Sequence, residues 1–156
     1  MGVLHATSNP SGDIMKTKII DIALDQYGTT EIVGKEDNPE VLKYFNDIGF
    51  DGNALKDETS WCSAFVNWVA QKADVQCSGK LDARSWLKVG KETTTPEKGD
   101  VVVFWRESKS SWKGHVGFYI QQDSRNIFVL GGNQSNQVCI KAYPKSRLLG
   151  YRIITN

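Results

Sequence analysis

The sequence has few of the residues that build a metal centre or a disulfide framework. It contains three cysteines, Cys62, Cys77 and Cys139, and none has the Cys-x-x-Cys spacing that is typical of structural zinc sites. The odd number argues against a complete set of disulfides, although a bridge between Cys77 and Cys139 stays open. Only two histidines occur, and His5 lies near the N-terminus, so histidine chemistry in the body of the chain falls to His115.

Long apolar runs and an excess of one charge are missing as well. No run approaches the roughly 18 apolar residues of a membrane span, and residues 1–18 are polar, without the apolar segment of a signal peptide. The 19 basic and 18 acidic side chains are interspersed and give a net charge of +1. We therefore expect a chain that is made in the cytoplasm and binds neither nucleic acid nor a membrane.

The length and composition are those of one globular domain. The chain has 156 residues, of which 40% are hydrophobic and 24% are charged. We expect residues 16–156 to form this domain and the protein to be a monomer. Residues 1–15 have a mixed composition that ends at a natural-looking start, Met15-Lys16, so we expect a leader that is disordered or derived from a cloning vector.

Helical patterns come first along the chain, and strand patterns follow. Apolar residues recur at helical spacing over residues 16–27, 38–48 and 60–73. Short strand-like segments then occur at 100–106, 115–121, 127–130, 138–142 and 151–154. This order predicts an α+β fold in which N-terminal helices pack on a mostly antiparallel sheet of about five or six strands.

Cys62 lies at the predicted start of the third helix. Ser60 or Thr59 is the expected N-cap, which places the cysteine in the first turn. The unpaired N–H groups of that turn favour a thiolate over a thiol, and the N–H of Cys62 itself can help to hold an oxyanion. A small buried cysteine without a chemical role is the structural alternative.

His115 opens a predicted strand and is the natural partner for this cysteine. A thiol nucleophile needs a base within hydrogen-bond reach, and the base needs a third group that fixes its tautomer. If the strands at 115–121 and 127–130 form a hairpin, the end of the second lies beside the start of the first. Asn133 is then the best candidate for the third group, and Gln134 is the alternative.

Four segments together resemble one family. They are Trp-Cys-Ser-Ala-Phe-Val-Asn-Trp at 61–68, Pro-Glu-Lys-Gly-Asp-Val-Val-Val-Phe at 96–104, Gly-His-Val-Gly-Phe-Tyr at 114–119 and Gly-Gly-Asn-Gln at 131–134. In this order they resemble the NlpC/P60 and CHAP group of papain-like cysteine peptidases and amidases, and most closely its compact bacterial and phage subgroup. The resemblance spans residues 16–156 and implies a papain-like NlpC/P60 fold.

The resemblance also implies a function. It points to a peptidoglycan hydrolase that cuts an amide bond of the cell-wall stem peptide, with Cys62 as nucleophile, His115 as base and Asn133 as the orienting group. Such chemistry requires no metal and no organic cofactor. Both an N-acetylmuramoyl-L-alanine amidase and a D,L-endopeptidase fit, and the enzyme would reach the wall after phage lysis or by specialised secretion. In the second case an immunity protein is the expected partner.

Four residues are candidates for binding the substrate. Trp112, between serines and a lysine, is expected to form an exposed lip, and Arg84 is expected to bind a carboxylate of the stem peptide. Trp61 precedes the nucleophile, and Gln134 follows the proposed orienting group. Two other functions stay open: a catalytically inactive wall-binding module, and a thiol acyltransferase or lipase-like enzyme that acts on lipid esters.

Overall fold

Three α-helices precede six strands in the computed structural model, which describes residues 10–30, 39–51 and 60–155. The helices are α1 (Pro10–Leu24), α2 (Pro39–Asn46) and α3 (Cys62–Ala73), and a 3-10 helix covers Ala83–Lys88. The strands are β1 (Lys91–Thr93), β2 (Val101–Trp105), β3 (Gly114–Gln122), β4 (Asn126–Gln134), β5 (Gln137–Pro144) and β6 (Leu148–Ile153). A second 3-10 helix, Lys145–Arg147, lies between β5 and β6. None of the helices in these ranges is long and apolar enough to cross a membrane.

The strands form one antiparallel sheet in the order β1-β6-β2-β3-β4-β5. The predicted α+β fold with an antiparallel sheet is therefore confirmed. The sequence analysis did not predict β1, because Lys91-Glu92-Thr93 is a short polar segment at the edge of the sheet. An edge strand of this kind carries no apolar alternation that could identify it.

The central strand β2 is apolar on both sides, as its sequence predicted. Val101 and Val103 pack in the core between the sheet and the helices, whereas Val102 and Phe104 pack in a second cluster on the other face. The neighbouring strand β3 divides in the same way: Phe118 faces the helices, and Tyr119 lies in the second cluster. Alternation along the strands therefore supplies two apolar layers.

Helix α3 is buried on nearly all sides, although the spacing of its apolar residues predicted one inward face. Of its 12 residues, only Gln71 and Lys72 are exposed. The reason is that α3 contacts α1 and α2 on one side and strands β3 and β4 on the other. A helix between two layers must be apolar around its circumference.

Helix α1 begins earlier than the sequence predicted. Residues 10–15, which we expected to belong to the leader, form its first turns, and residues 1–9 lie outside the described part of the chain. The helix ends at Leu24 instead of Tyr27, because the chain turns toward Gly28, which has a left-handed φ of 89°.

A buried ion pair joins α1 to the turn before β2. The Lys16 Nζ atom lies 3.1 Å from Asp100 Oδ1 and 2.6 Å from Glu97 Oε1. The Asp100 side chain is 1% exposed, and its Oδ2 accepts a 2.8 Å hydrogen bond from the Glu97 backbone N–H. Burial raises the pKa of Asp100, and this effect exceeds the opposing effects of the Glu97 N–H and of Lys16.

Replacing Lys16 with methionine is expected to destabilise the fold. The Asp100 carboxylate would then be buried without a cation, so the free energy of unfolding should fall by about 3 kcal/mol. Urea unfolding measures the change. The control is Glu40→Gln, which breaks the exposed pair between Glu40 and Lys43 and should change the same quantity by less than about 0.5 kcal/mol. Equal effects of the two substitutions would contradict a structural role for the buried pair.

Candidate active site

Cys62 is the first residue of α3. Trp61 occupies the N-cap position, and no side chain caps the helix, so the prediction of a Ser60 cap is wrong. Thr59, the other predicted cap, lies outside the described residues. The N–H of Cys62 is among the first of the helix, where helix geometry provides no acceptor for it. A donor therefore stands beside the thiol and can bind an anionic oxygen.

The imidazole of His115 acts on the Cys62 thiol, because its hydrogen-bonding nitrogen and its charge both lower the pKa of that thiol. His115 is the second residue of β3 and is 6% exposed. Its Nε2 atom lies 2.9 Å from the side-chain oxygen Oε1 of Gln134. Because Nε2 is occupied in this way, Nδ1 is the ring nitrogen that is left to face the thiol.

The Gln134 amide has only one orientation that satisfies its neighbours. Its Nε2 donates to the carbonyl oxygens of Val129 at 3.1 Å and Cys139 at 2.7 Å, so its Oε1 must point at His115. An amide oxygen only accepts hydrogen bonds, and the imidazole Nε2 therefore carries the proton in the neutral ring. This tautomer leaves Nδ1 free to take a proton from the thiol.

Gln134, and not Asn133, pairs with His115. Asn133 Nδ2 instead donates to Ser60 Oγ at 3.2 Å. The pairing of β4 with β5 shifts register between Gly131 and Gln134, and Asn133 within this bulge has a left-handed φ of 58°. A register shift of one residue moves each side chain to the opposite face of the sheet. The predicted partner of His115 is therefore wrong by one position. Gln134 was also predicted to bind the substrate. Its side chain is only 1% exposed, so it is not placed to contact one.

The thiol is poised to ionise near neutral pH. Burial raises the pKa of Cys62. The hydrogen bond and charge of His115 lower it, as do hydrogen bonds from the Ser60 side chain and the Val116 backbone N–H. These lowering effects together outweigh burial and bring the pKa to about 7. Cysteine reacts as the thiolate, so these donors make the side chain nucleophilic. Of the three cysteines, all of them free, Cys62 is the one with this environment.

Tyr143 is part of the site, although nothing in the sequence around it predicts this. Its ring stacks on the His115 ring, with centroids 4.8 Å apart and planes inclined by 26°. The same Tyr143 ring also stacks on Phe104, with centroids 5.0 Å apart. The stack restrains the plane of the imidazole. The sequence has no signal for this contact, because β5 reaches His115 only through the pairing of β4 with both of its neighbours.

A cleft of about 420 Å³ opens beside the thiol. Its lining residues are Ser60, Cys62, Leu81, Asp82, Ala83, Arg106, Trp112, Lys113 and Gly114. Trp112 is 71% exposed and stands at the rim, where the sequence predicted a lip. Across the described ranges, no group of three or more His, Cys, Asp or Glu side chains is arranged to hold a metal ion.

One wall of the cleft is positioned by Asn67, a buried residue of α3. Its Oδ1 accepts hydrogen bonds from the backbone N–H groups of Ser78 and Gly79, both at 3.0 Å, and its Nδ2 donates to the Lys80 carbonyl at 3.0 Å. Ser63 Oγ donates to the same carbonyl at 2.7 Å. The chain therefore leaves this turn in a fixed direction. The residues that come next in the sequence form this wall of the cleft.

Arg84 does not present a free guanidinium to the cleft, in contrast to the prediction. Nε donates to the Lys113 carbonyl at 2.9 Å, Nη1 to the Lys109 carbonyl at 2.8 Å and Nη2 to the Ser108 carbonyl at 3.0 Å. These bonds use all three nitrogens. Arg84 therefore anchors the backbone of the loop that carries Trp112, and the planar, five-donor guanidinium suits this task.

Trp61 is a core residue and not a substrate contact, so this prediction is also corrected. Its side chain is 1% exposed, and its ring stacks against Tyr44 of α2 with centroids 5.9 Å apart. On the β4 side, a Cβ atom at Gly132 would lie only 2.8 Å from the Trp61 ring. The ring fills the space between α2 and β4, which fixes the start of α3 against the sheet.

Comparison with protein families identifies one match. The CHAP domain model matches residues 54–133, which is just over half of the chain and includes the cysteine, the histidine and the Gly-Gly-Asn segment. Among curated protein sequences, none matches this chain significantly.

Solved structures share the fold at low sequence identity. An NLP/P60-family protein similar to lipoproteins, from Staphylococcus aureus, has a TM-score of 0.54 and 19% identity over 92% of this chain, which spans 43% of that chain. The hypothetical invasion protein Rv1477 of Mycobacterium tuberculosis has a TM-score of 0.56 and 15% identity, with 96% of this chain and 67% of that chain covered. The structure therefore has an NlpC/P60 and CHAP-like fold.

Cys62 is expected to be alkylated by iodoacetamide with a rate that rises through about pH 7, because the pKa of its thiol is about 7. The internal comparison is Cys77, whose pKa is raised by burial and by the charge of Asp74. In His115→Ala, the largest opposing effect to burial is lost and the Cys62 pKa rises, so the Cys62 rate at pH 7 should fall about tenfold. Mass spectrometry of the separate cysteine peptides gives each rate. A Cys62 profile that matches that of Cys77 would disprove the poised thiol.

Gln134→Glu is expected to destabilise the protein, although it keeps the size of the side chain. The new oxygen would face the carbonyls that now accept bonds at 3.1 and 2.7 Å, and at pH 8 the free energy of unfolding should fall by about 3 kcal/mol. The control is Gln121→Glu on the exposed end of β3, with an expected change below about 0.5 kcal/mol. Urea unfolding distinguishes them, and unchanged stability in Gln134→Glu would mean that the amide is oriented differently.

Proposed function

The chain belongs to the CHAP domain family, a family of cysteine peptidases and amidases of the peptidoglycan-hydrolase type, and we propose that it cuts an amide bond of the stem peptide with Cys62 as nucleophile. The observation that carries the proposal is the arrangement of Cys62, His115 and Gln134: His115 lowers the pKa of the Cys62 thiol, and its Nε2 lies 2.9 Å from Gln134 Oε1. Nucleophile, base and orienting group stand in the order that thiol catalysis requires.

The first half of the reaction forms a thioester. The Cys62 thiol gives its proton to Nδ1 of His115, and the sulfur attacks the amide carbonyl carbon of the wall peptide. The carbonyl oxygen becomes negative and accepts a hydrogen bond from the Cys62 N–H. His115 then passes its proton to the leaving amine, and the C–N bond breaks while the acyl group stays on sulfur.

The second half of the reaction releases the product. His115 takes a proton from water, and the resulting hydroxide attacks the thioester carbonyl. The C–S bond breaks, the carboxylic acid leaves, and Cys62 regains its proton. Gln134 stays neutral throughout and holds Nε2–H of His115, so the imidazole keeps its plane and tautomer in both halves. The proposed steps use side chains and the Cys62 backbone N–H of this chain, together with water.

The cleft supports a peptide substrate that carries charged groups. Asp82 and Arg106 line the cleft together with Cys62, so an amine and a carboxylate each find a partner there. Lys113 also lines the cleft, but its Nζ lies 2.8 Å from Glu107 Oε1. The exposed ring of Trp112 adds an apolar surface at the rim. Stem peptides present amide bonds between such charged groups.

Access to the wall is part of the proposal. We propose that the protein, made in the cytoplasm, reaches peptidoglycan after phage lysis or through a specialised secretion system, and that it acts as a monomer. A secreted toxin of this kind requires an immunity protein in the producing cell. The amidase and D,L-endopeptidase activities use the same three side chains, and the shape of the cleft selects between them.

Incubation of purified peptidoglycan with the protein tests the function. New fragments should appear with the wild-type chain, and Cys62→Ala should lower their rate of formation at least about a thousandfold. Cys77→Ala, which removes an exposed thiol, should leave the rate unchanged. Mass spectrometry names the bond: release of a free L-alanine amine indicates the amidase, and cleavage within the stem indicates the endopeptidase.

Two outcomes would overturn this proposal. Retained activity in Cys62→Ala would exclude the thiol mechanism. If walls of several chemotypes yield no fragments and Cys62 is also unreactive toward iodoacetamide, the inactive wall-binding module is the correct alternative.

A further inference from the structure

Ser60 lies next to the reacting sulfur, outside the three residues of the mechanism. Its Oγ atom is 3.5 Å from Cys62 Sγ, which is within hydrogen-bond distance for sulfur. The distance alone does not show which of the two atoms is the donor. Ser60 lines the same cleft as Cys62. It does not cap α3, so its hydroxyl is not spent on the backbone of the helix.

The second contact of Ser60 determines which atom donates. Asn133 Nδ2 lies 3.2 Å from Ser60 Oγ and can only donate, so the serine oxygen accepts this bond. The hydroxyl hydrogen is then free to point at Cys62 Sγ. Asn133 therefore orients the hydroxyl, and the hydroxyl supplies a hydrogen bond to the sulfur.

The backbone around Asn133 makes this contact possible. Its left-handed φ of 58° lies within the register shift of β4, and this conformation turns its side chain away from His115 and toward the start of α3. Residues other than glycine rarely adopt such a φ, although asparagine tolerates it better than most. Unusual backbone conformations are concentrated at functional sites.

We propose that Ser60 and Asn133 form a relay that donates a hydrogen bond to the Cys62 thiolate, with Ser60 as a second donor in the catalytic site and Asn133 as its positioning residue. The proposal rests on Cys62 being the nucleophile. The relay stabilises the thiolate from the cleft side, whereas His115 and the Val116 N–H act from the sheet. The sulfur is thus held between donors on two sides.

The relay also has a consequence for the reaction step. When Cys62 attacks, negative charge leaves the sulfur and appears on the carbonyl oxygen of the substrate in the same cleft. The Ser60 hydroxyl lies on that side, so a rotation about its C–O bond moves its hydrogen from one anion toward the other. The Asn133 bond to Oγ persists during this rotation, since it uses a lone pair and not the hydrogen.

The test is the pH profile of iodoacetamide alkylation at Cys62, measured on its peptide by mass spectrometry. Ser60→Ala should move the midpoint upward by about one pH unit, the effect of one hydrogen bond to a charged group. Ser60→Thr keeps the hydroxyl and should retain most of the wild-type rate at pH 7. Circular dichroism melts of each variant verify that it is folded.

Substitution of Asn133 distinguishes a relay from simple packing. Asn133→Asp keeps the size but presents an acceptor, so the serine hydrogen turns to the carboxylate and the thiolate gains a negative neighbour. The midpoint should therefore rise further than in Ser60→Ala. The matched control is Asn136→Asp, which adds the same charge in the same turn at another left-handed residue and should move the midpoint much less.

The outcomes separate this inference from the proposed function. A poised wild-type Cys62 whose midpoint is unchanged in Ser60→Ala and Asn133→Asp would overturn the relay and leave the thiol mechanism intact. A wild-type Cys62 that titrates like an ordinary thiol would overturn both. An upward shift in both variants, with Ser60→Thr and Asn136→Asp close to wild type, would support the relay.

Discussion

The hydrogen bonds of the Gln134 amide determine which nitrogen of His115 carries the proton in the neutral ring. Two carbonyl oxygens take the amide hydrogens, and the amide oxygen has no position left except against His115. The tautomer of the imidazole follows from this orientation, and it leaves the lone pair of Nδ1 available. Gln134 does not line the cleft, and yet it fixes the tautomer of the imidazole that acts on the Cys62 thiol.

The neutral orienting group also determines the charge of the site. A carboxylate in this position would add a fixed negative charge, whereas the amide adds none. The Cys62 and His115 pair has no net charge whether the proton lies on sulfur or on nitrogen, so the pair adds no net charge to the site. Charge recognition is left to the side chains of the cleft, which can then differ without disturbing the reacting pair.

The sequence was sufficient to predict the architecture, since the helices and strands depend on local patterns. The helix that starts at Cys62 and the alternation along β3 follow from spacing alone. The orienting residue was misassigned by one position, because Gly131-Gly132 permits almost any backbone and the spacing cannot show on which side of a bulge the next side chain emerges.

Other errors have the same origin in contacts that are distant along the chain. The ring of Trp61 is buried by Tyr44, and Tyr143 reaches His115 from β5. The partners of Arg84 are backbone carbonyls, which every residue possesses and which leave no trace in the sequence. By contrast, the exposure of Trp112 was predictable, because its immediate neighbours are polar.

The attachment of the cleft loop to Arg84 has a consequence for how this protein can change. Since the guanidinium holds main-chain oxygens of Ser108, Lys109 and Lys113, the anchor does not depend on which side chains the loop carries. The rim can therefore exchange its side chains one at a time while its backbone stays attached. The side chains that the rim presents and the stability of the fold are separable properties in this part of the molecule, which makes the loop a suitable place for substitutions that change the surface of the cleft.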